Sequence, residues 1–197
     1  MRIHFRNLQD KIKTMKVRKV MKTKQMIAMS VAASMLAGTG LLAAENMAKN
    51  PGQLSSSDYK FACEAAHGGL FEVQAGNLAA TKATDPQVKQ FAQQMVTDHR
   101  QADSQLTAIA SREGATLPTS LTKSESEKLQ KLQGLSGKDF DEAYVKDMVS
   151  DHKKDLSAFR DEAKDADSPE IKTFAASTAT VIQNHLNMIK GIEKTTK

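Results

Sequence analysis

The sequence predicts an all-α fold, a four-helix bundle of two αα-hairpins joined by a long crossover connection. Three observations carry this. Four segments repeat apolar residues at helical spacing, and no segment alternates in the manner of a strand. Two of the links are tight and place Asp or Ser just before a proline, whereas the third runs to some two dozen residues. Finally, "PQVKQFA" at 86–92 is echoed by "PEIKTFA" at 169–175, so the second helix of each hairpin opens alike.

Residues 1–44 read as a leader that carries a secretory signal. Nine Lys or Arg and one Asp precede "IAMSVAASMLAGTGLLAA", eighteen uncharged residues that end in small ones, with cleavage expected near Ala44. Met21 is the better start, because it leaves a signal of ordinary length. An uncleaved anchor is the competing reading, but Ser, Thr and Gly dilute the apolar run below what membrane insertion favours. No Cys follows the run, which argues against a lipid anchor. The expectation is an exported protein, periplasmic or envelope-associated, with no membrane span after cleavage.

Removing the leader changes the charge argument. The whole chain holds 28 basic and 23 acidic residues, but residues 45–197 hold 19 and 22. The mature part is therefore slightly acidic and offers no basic surface for nucleic acid. Cys63 is the single cysteine, so no intrachain disulfide forms and stability must come from packing or a bound ion.

Residues 45–56, polar with Pro and Gly, read as a flexible lead-in, and the four-helix domain is expected over 57–195. The first helix is expected from Ser57 to Ala83, opened by a cluster of capping residues. It bears a stripe of small residues, Ala62, Ala65, Gly69, Gly76, Ala79 and Ala83, around one carboxylate, Glu72. The second helix starts at Asp85 with Pro86 in its first turn and stops near Gly114. In the long connection, "SESEKLQKL" has the pattern of a short surface helix. The third main helix is expected over 138–166, and the fourth from the Asp167–Pro169 link to near Glu193.

Two of the chain's five histidines sit in nearly the same words, "MVTDH" at 95–99 and "MVSDH" at 148–152. His99, His152 and His185 each lie on the apolar seam of their helix. Heights follow from counting. Glu72 lies 14 residues before Pro86 and His99 lies 13 after it, while His152 lies 17 before Pro169 and His185 lies 16 after. Antiparallel hairpins then bring all four to mid-height. A buried polar group without a partner costs about 1–3 kcal/mol, and a cation would use these lone pairs. The expected ligand is a divalent transition metal, iron, zinc, copper or manganese, bound by Glu72, His99, His152 and His185. Asp103 and Asp155, about one turn beyond two of the histidines, are candidates for further ligands or for holding an imidazole N–H. Asp98 and Asp151 read as solvated charges.

Val96 and Val149 stand three residues before His99 and His152, so the Glu-x-x-His pairs of carboxylate-bridged di-iron bundles are absent. The sequence shows no nucleophile triad, phosphate loop or dinucleotide fingerprint, and leaves enzymatic activity undecided.

Four stretches, "FACEAAHGGLFEVQAGNLAATKA", "VKQFAQQMVTDHRQADSQL", "LSGKDFDEAYVKDMVSDHKKDLSAFRDEAKD" and "IKTFAASTATVIQNHL", resemble the bacterial family known as domain of unknown function 4142. The similarity covers about residues 58–192. The resemblance implies a ferritin-like fold and export, and Glu72, His99, His152 and His185 match the family's recurring polar positions, whereas Cys63 and His67 do not. It implies no established activity. Two functions follow as expectations: metal handling or envelope stress protection by a metal-binding bundle, or a non-catalytic envelope interaction protein with a metal-free polar core. Protein partners and oligomeric state stay open.

Overall fold

The computed structural model describes residues 53–195. The expected leader with its signal and most of the expected lead-in lie outside them. The described residues form five helices: α1 Ser56–Lys82, α2 Pro86–Arg112, α3 Lys123–Gly134, α4 Gly137–Asp165 and α5 Pro169–Glu193. The main helices fall within a residue or two of the expected bounds, and the short surface helix is α3. Among the described residues no helix is long and apolar enough to cross a membrane.

Local chemistry sets the ends. Ser55, Asp85 and Ser168 each accept a backbone N–H of the first turn that follows, and Pro86 and Pro169 fill first-turn positions where no N–H is needed. Thr122 and Glu125 form a reciprocal capping box at α3. Gly114 (φ 70°) closes α2: the Ala115 N–H donates to Ala110 O at 2.8 Å and the Gly114 N–H to Ser111 O at 3.2 Å. This left-handed turn satisfies carbonyls the helix end would otherwise leave open.

Helices α1 and α2 form one tight hairpin, α4 and α5 the other. The small stripe of α1 permits the first, since a Cβ at Gly76 would lie 2.8 Å from Val96 Cγ2 and 3.1 Å from Ala92 O. Two buried aspartates then lock the hairpins head to tail. Asp58, near the start of α1, accepts the backbone N–H groups of Asp167 (3.2 Å) and Ser168 (2.7 Å) in the α4–α5 turn. Asp141, near the start of α4, accepts those of Thr84 (3.0 Å) and Asp85 (2.8 Å) in the α1–α2 turn, and the Thr84 hydroxyl. Each carboxylate thus sits at the N-terminus of the opposite hairpin's second helix, where the helix dipole favours a negative charge.

This clasp fixes direction. α1 runs toward the α1–α2 turn, α2 and α4 run away from it in parallel, and α5 returns. The connection must therefore climb the length of the bundle, and it does so along α1. Gln53 N–H donates to Glu113 O at 2.9 Å, Tyr59 OH to Thr116 O at 2.9 Å, His67 Nδ1 to Ser120 O at 3.0 Å, and Lys82 Nζ to Gln133 O near the top. His67 accordingly serves as a strut for the crossover.

Candidate metal centre

The apolar stripes turn His99 of α2, His152 of α4 and His185 of α5 inward, and all three rings are buried. Their centroids are 5.5–5.9 Å apart. One nitrogen of each ring lies within 4.8 Å of one nitrogen of each other ring.

One nitrogen of each ring has a partner outside the trio. His99 Nδ1 lies 2.9 Å from Glu72 Oε2. His152 Nδ1 lies 3.0 Å from the Met148 carbonyl, which can only accept, so this ring carries its proton on Nδ1. His185 Nε2 lies 2.8 Å from Asp98 Oδ2, a carboxylate oxygen also bonded by Gln94 Nε2 at 2.7 Å. What remains is His99 Nε2, His152 Nε2 and His185 Nδ1, all buried and without a hydrogen-bond partner. These are three imidazoles in one buried layer, each with a ring nitrogen whose lone pair is unused. Second-sphere partners fix metal-binding imidazoles in the same way.

All four expected residues come together, but in two layers: the three histidines form the ring, and Glu72 stands behind it. Its Oε1 lies 3.4 Å from His152 Nδ1, whose proton already goes to Met148 O, and so accepts no hydrogen bond. Asp98, read from sequence as solvated, is the partner of His185 across the α2–α5 contact. Asp151 pairs with Lys128 of α3 at 2.9 Å. Nothing local in the sequence signals either pairing, because each partner lies on another helix. Asp103 and Asp155 hold no imidazole; they line a cleft of about 480 Å³ that reaches Glu72 and His99.

Burial governs the charges. It pushes all three imidazoles below their ordinary value, with nearby carboxylates opposing the shift. It pushes Glu72 up to about 7 against the pull of His152, Asp155 up to about 7 with Glu72 adding to the effect, and Asp103 up to about 6 against the pull of His99. The histidines are neutral near pH 7, when a metal needs their lone pairs.

The two sides of the histidine layer differ. Toward the α1–α2 turn it meets Phe91, whose ring centroid lies 6.0–6.4 Å from those of His152, His185 and Tyr144, and the buried Met95 and Met148. The Tyr144 hydroxyl is itself buried without a partner. Toward the α4–α5 turn lies the carboxylate-lined cleft, floored by Phe159, with Phe61 and Phe174 at 4.9 and 6.0 Å from its ring.

Fold and site together define the class of protein: an all-α bundle of two clasped hairpins around a histidine-rich polar centre. Residues 43–192 match the family described as Domain of unknown function (DUF4142), and the chain belongs to that family. Two crystal structures share the fold. A DUF305 fragment from Deinococcus radiodurans is 12% identical with a TM-score of 0.61, over 72% of this chain and 97% of its own. A DUF305 protein from Streptomyces coelicolor is 13% identical with a TM-score of 0.61, over 72% and 94%. No curated protein matches the sequence.

Proposed function

We propose that this chain is an exported metal-handling protein that binds one transition-metal ion through His99 Nε2, His152 Nε2 and His185 Nδ1. Two observations carry the reading: the three buried rings bring one nitrogen each within 4.8 Å of the others, and each ring keeps one buried nitrogen without a hydrogen-bond partner. Leaving three such acceptors unpaired is costly in a protein interior, and one cation would remove the cost at all three. A ligand set of neutral imidazoles favours zinc or copper over manganese, which prefers oxygen. Glu72 and Asp98 orient His99 and His185 and raise their basicity without entering the set. Export rests on the basic, apolar leader. A bundle that holds a metal in that compartment suits sequestration and protection of the envelope from metal stress.

The test is metal content of residues 45–197, purified untagged and reconstituted with zinc or copper, beside the His99→Ala/His152→Ala variant. Near-stoichiometric metal in the parent and loss in the variant is the expected result. A parent that takes up neither metal would make the trio a metal-free polar core and return the function to protein interaction.

A further inference from the structure

The cleft beside the histidine centre holds two aspartates that have so far no task. One helical turn below the histidines, toward the α4–α5 turn, α2 carries Asp103 and α4 carries Asp155, and both line the 480 Å³ cleft together with Glu72 and His99. Asp103 is seated by the backbone opposite it. Gly69 of α1 has no side chain, and Asp103 fills the space: a Cβ on residue 69 would lie 2.0 Å from Asp103 Oδ1. An independent observation concerns Glu72, which lines the same cleft and whose Oε1 is buried and has no hydrogen-bond partner. Residue 72 is 4% exposed, so bulk water does not solvate that oxygen freely. On the opposite side Phe91 and the two buried methionines pack against the layer, and a surface groove between α2 and α5 reaches Phe91, Asp98 and His185.

We propose that this cleft is a second cation site, a loading site in which Asp103, Asp155 and Glu72 Oε1 hold a hydrated divalent cation before it passes to the three imidazoles. The inference rests on the histidine centre proposed above and adds its route of filling. Oxygen ligands suit a cation that still carries water, and imidazoles suit one that has shed it. The order of the layers, carboxylates outside and imidazoles inside, is therefore the order in which a transition-metal ion would exchange its shell. The inlet is the gap between α1 and α4, where Gly68 faces open space: a Cβ there would meet nothing within 4 Å. Six carboxylate residues line the cleft against two lysines, Lys128 and Lys154, and an excess of one sign of charge raises the local concentration of the opposite ion and its rate of binding.

Stopped-flow uptake of cobalt(II), followed by its visible absorption, tests this in residues 45–197. Asp103→Asn/Asp155→Asn is expected to slow uptake by about tenfold or more while the final spectrum, set by the imidazoles, stays that of the parent. Gly68→Leu is expected to slow uptake with both aspartates intact and with the melting temperature kept or raised, because the site has room and leucine favours a helix. Ser177→Leu, which fills a smaller gap of about 160 Å³ between α2 and α5, leaves the rate unchanged. Parent-like rates in both the aspartate and the Gly68 variants would overturn the loading site and leave the histidine centre standing. A changed final spectrum in the aspartate variant would also overturn it, by making those residues permanent ligands. A parent that takes up no cobalt removes the histidine centre, and the loading site with it.

Discussion

Glu72 is where the stability of the metal-free protein and its affinity for metal pull apart. Its carboxyl is raised from an ordinary 4.5 to about 7 by burial. Between those values the folded state binds this proton more tightly than the unfolded chain, so this group's contribution to stability falls as pH rises from 4.5 to 7. The histidines act in the opposite sense. Their folded values lie below 6.5, so the unfolded chain takes up protons first and stability is lost as pH falls below 6.5. Glu72→Gln removes the first effect and keeps the second. Urea midpoints of the metal-free variant should therefore gain on the parent between pH 5 and pH 8. The same substitution removes the charge that holds His99, and zinc affinity is expected to fall about 10- to 100-fold by competition with a chelator. A glutamate that merely filled the core would show the first change without the second. Because the Glu72 proton has to leave for His99 Nδ1 to stay protonated against a carboxylate, zinc uptake below pH 7 should also release protons, read as buffer-dependent heat in titration calorimetry.

At the scale of the elements, Asp58 and Asp141 decide how the hairpins meet. Each is at most 2% exposed and accepts N–H groups from the turn that opens the other hairpin's second helix. Asp141→Ala would leave the Thr84 and Asp85 N–H groups buried without an acceptor, and hydrogen bonds to a charged group are worth about 1.5–3 kcal/mol. A loss of about 3 kcal/mol in urea unfolding is expected, against less than 0.5 kcal/mol for the exposed Asp139→Ala, two residues earlier on the same helix. Neither aspartate was legible in the sequence, because a buried acid that caps a distant turn looks like any acid in a helix's first turns. The helices were legible: Pro86, Pro169 and Gly114 punctuate them, and the stripe from Ile171 to Ile192 is buried as its spacing predicts. The echo of "PQVKQFA" and "PEIKTFA" marks the two turns that the aspartates hold. The histidine layer was legible too, because seam positions and equal counts from the prolines fix orientation and height. What counting could not give was which ring nitrogen faces the centre, since the hydrogen bonds that decide it come from Asp98, Met148 and Glu72 on several helices.

For the whole molecule, a metal at the histidine centre would bond to α2, α4 and α5 and, through Glu72, engage α1. It would thus tie together two hairpins whose strongest packing is within each pair. The unfolded chain offers no preformed trio, so binding at the centre acts on the folded state and must appear as stability. At a free zinc concentration one hundred times the dissociation constant the gain is about 2.7 kcal/mol, which for a domain of this size raises the melting temperature by roughly 5–11 °C. Chelation should reverse the gain, and the His99→Ala/His152→Ala variant should show neither change. The sign in the metal-free state is the sharper measurement. If the three lone pairs are strained against one another, removing two of them at pH 8 offsets part of the loss from the smaller side chains. The metal-free variant should then melt closer to the metal-free parent than two buried truncations of about 2–5 kcal/mol each would allow. A full truncation penalty together with no response to zinc would mean that the imidazoles are well satisfied as they stand, and that this layer holds the bundle together without a metal.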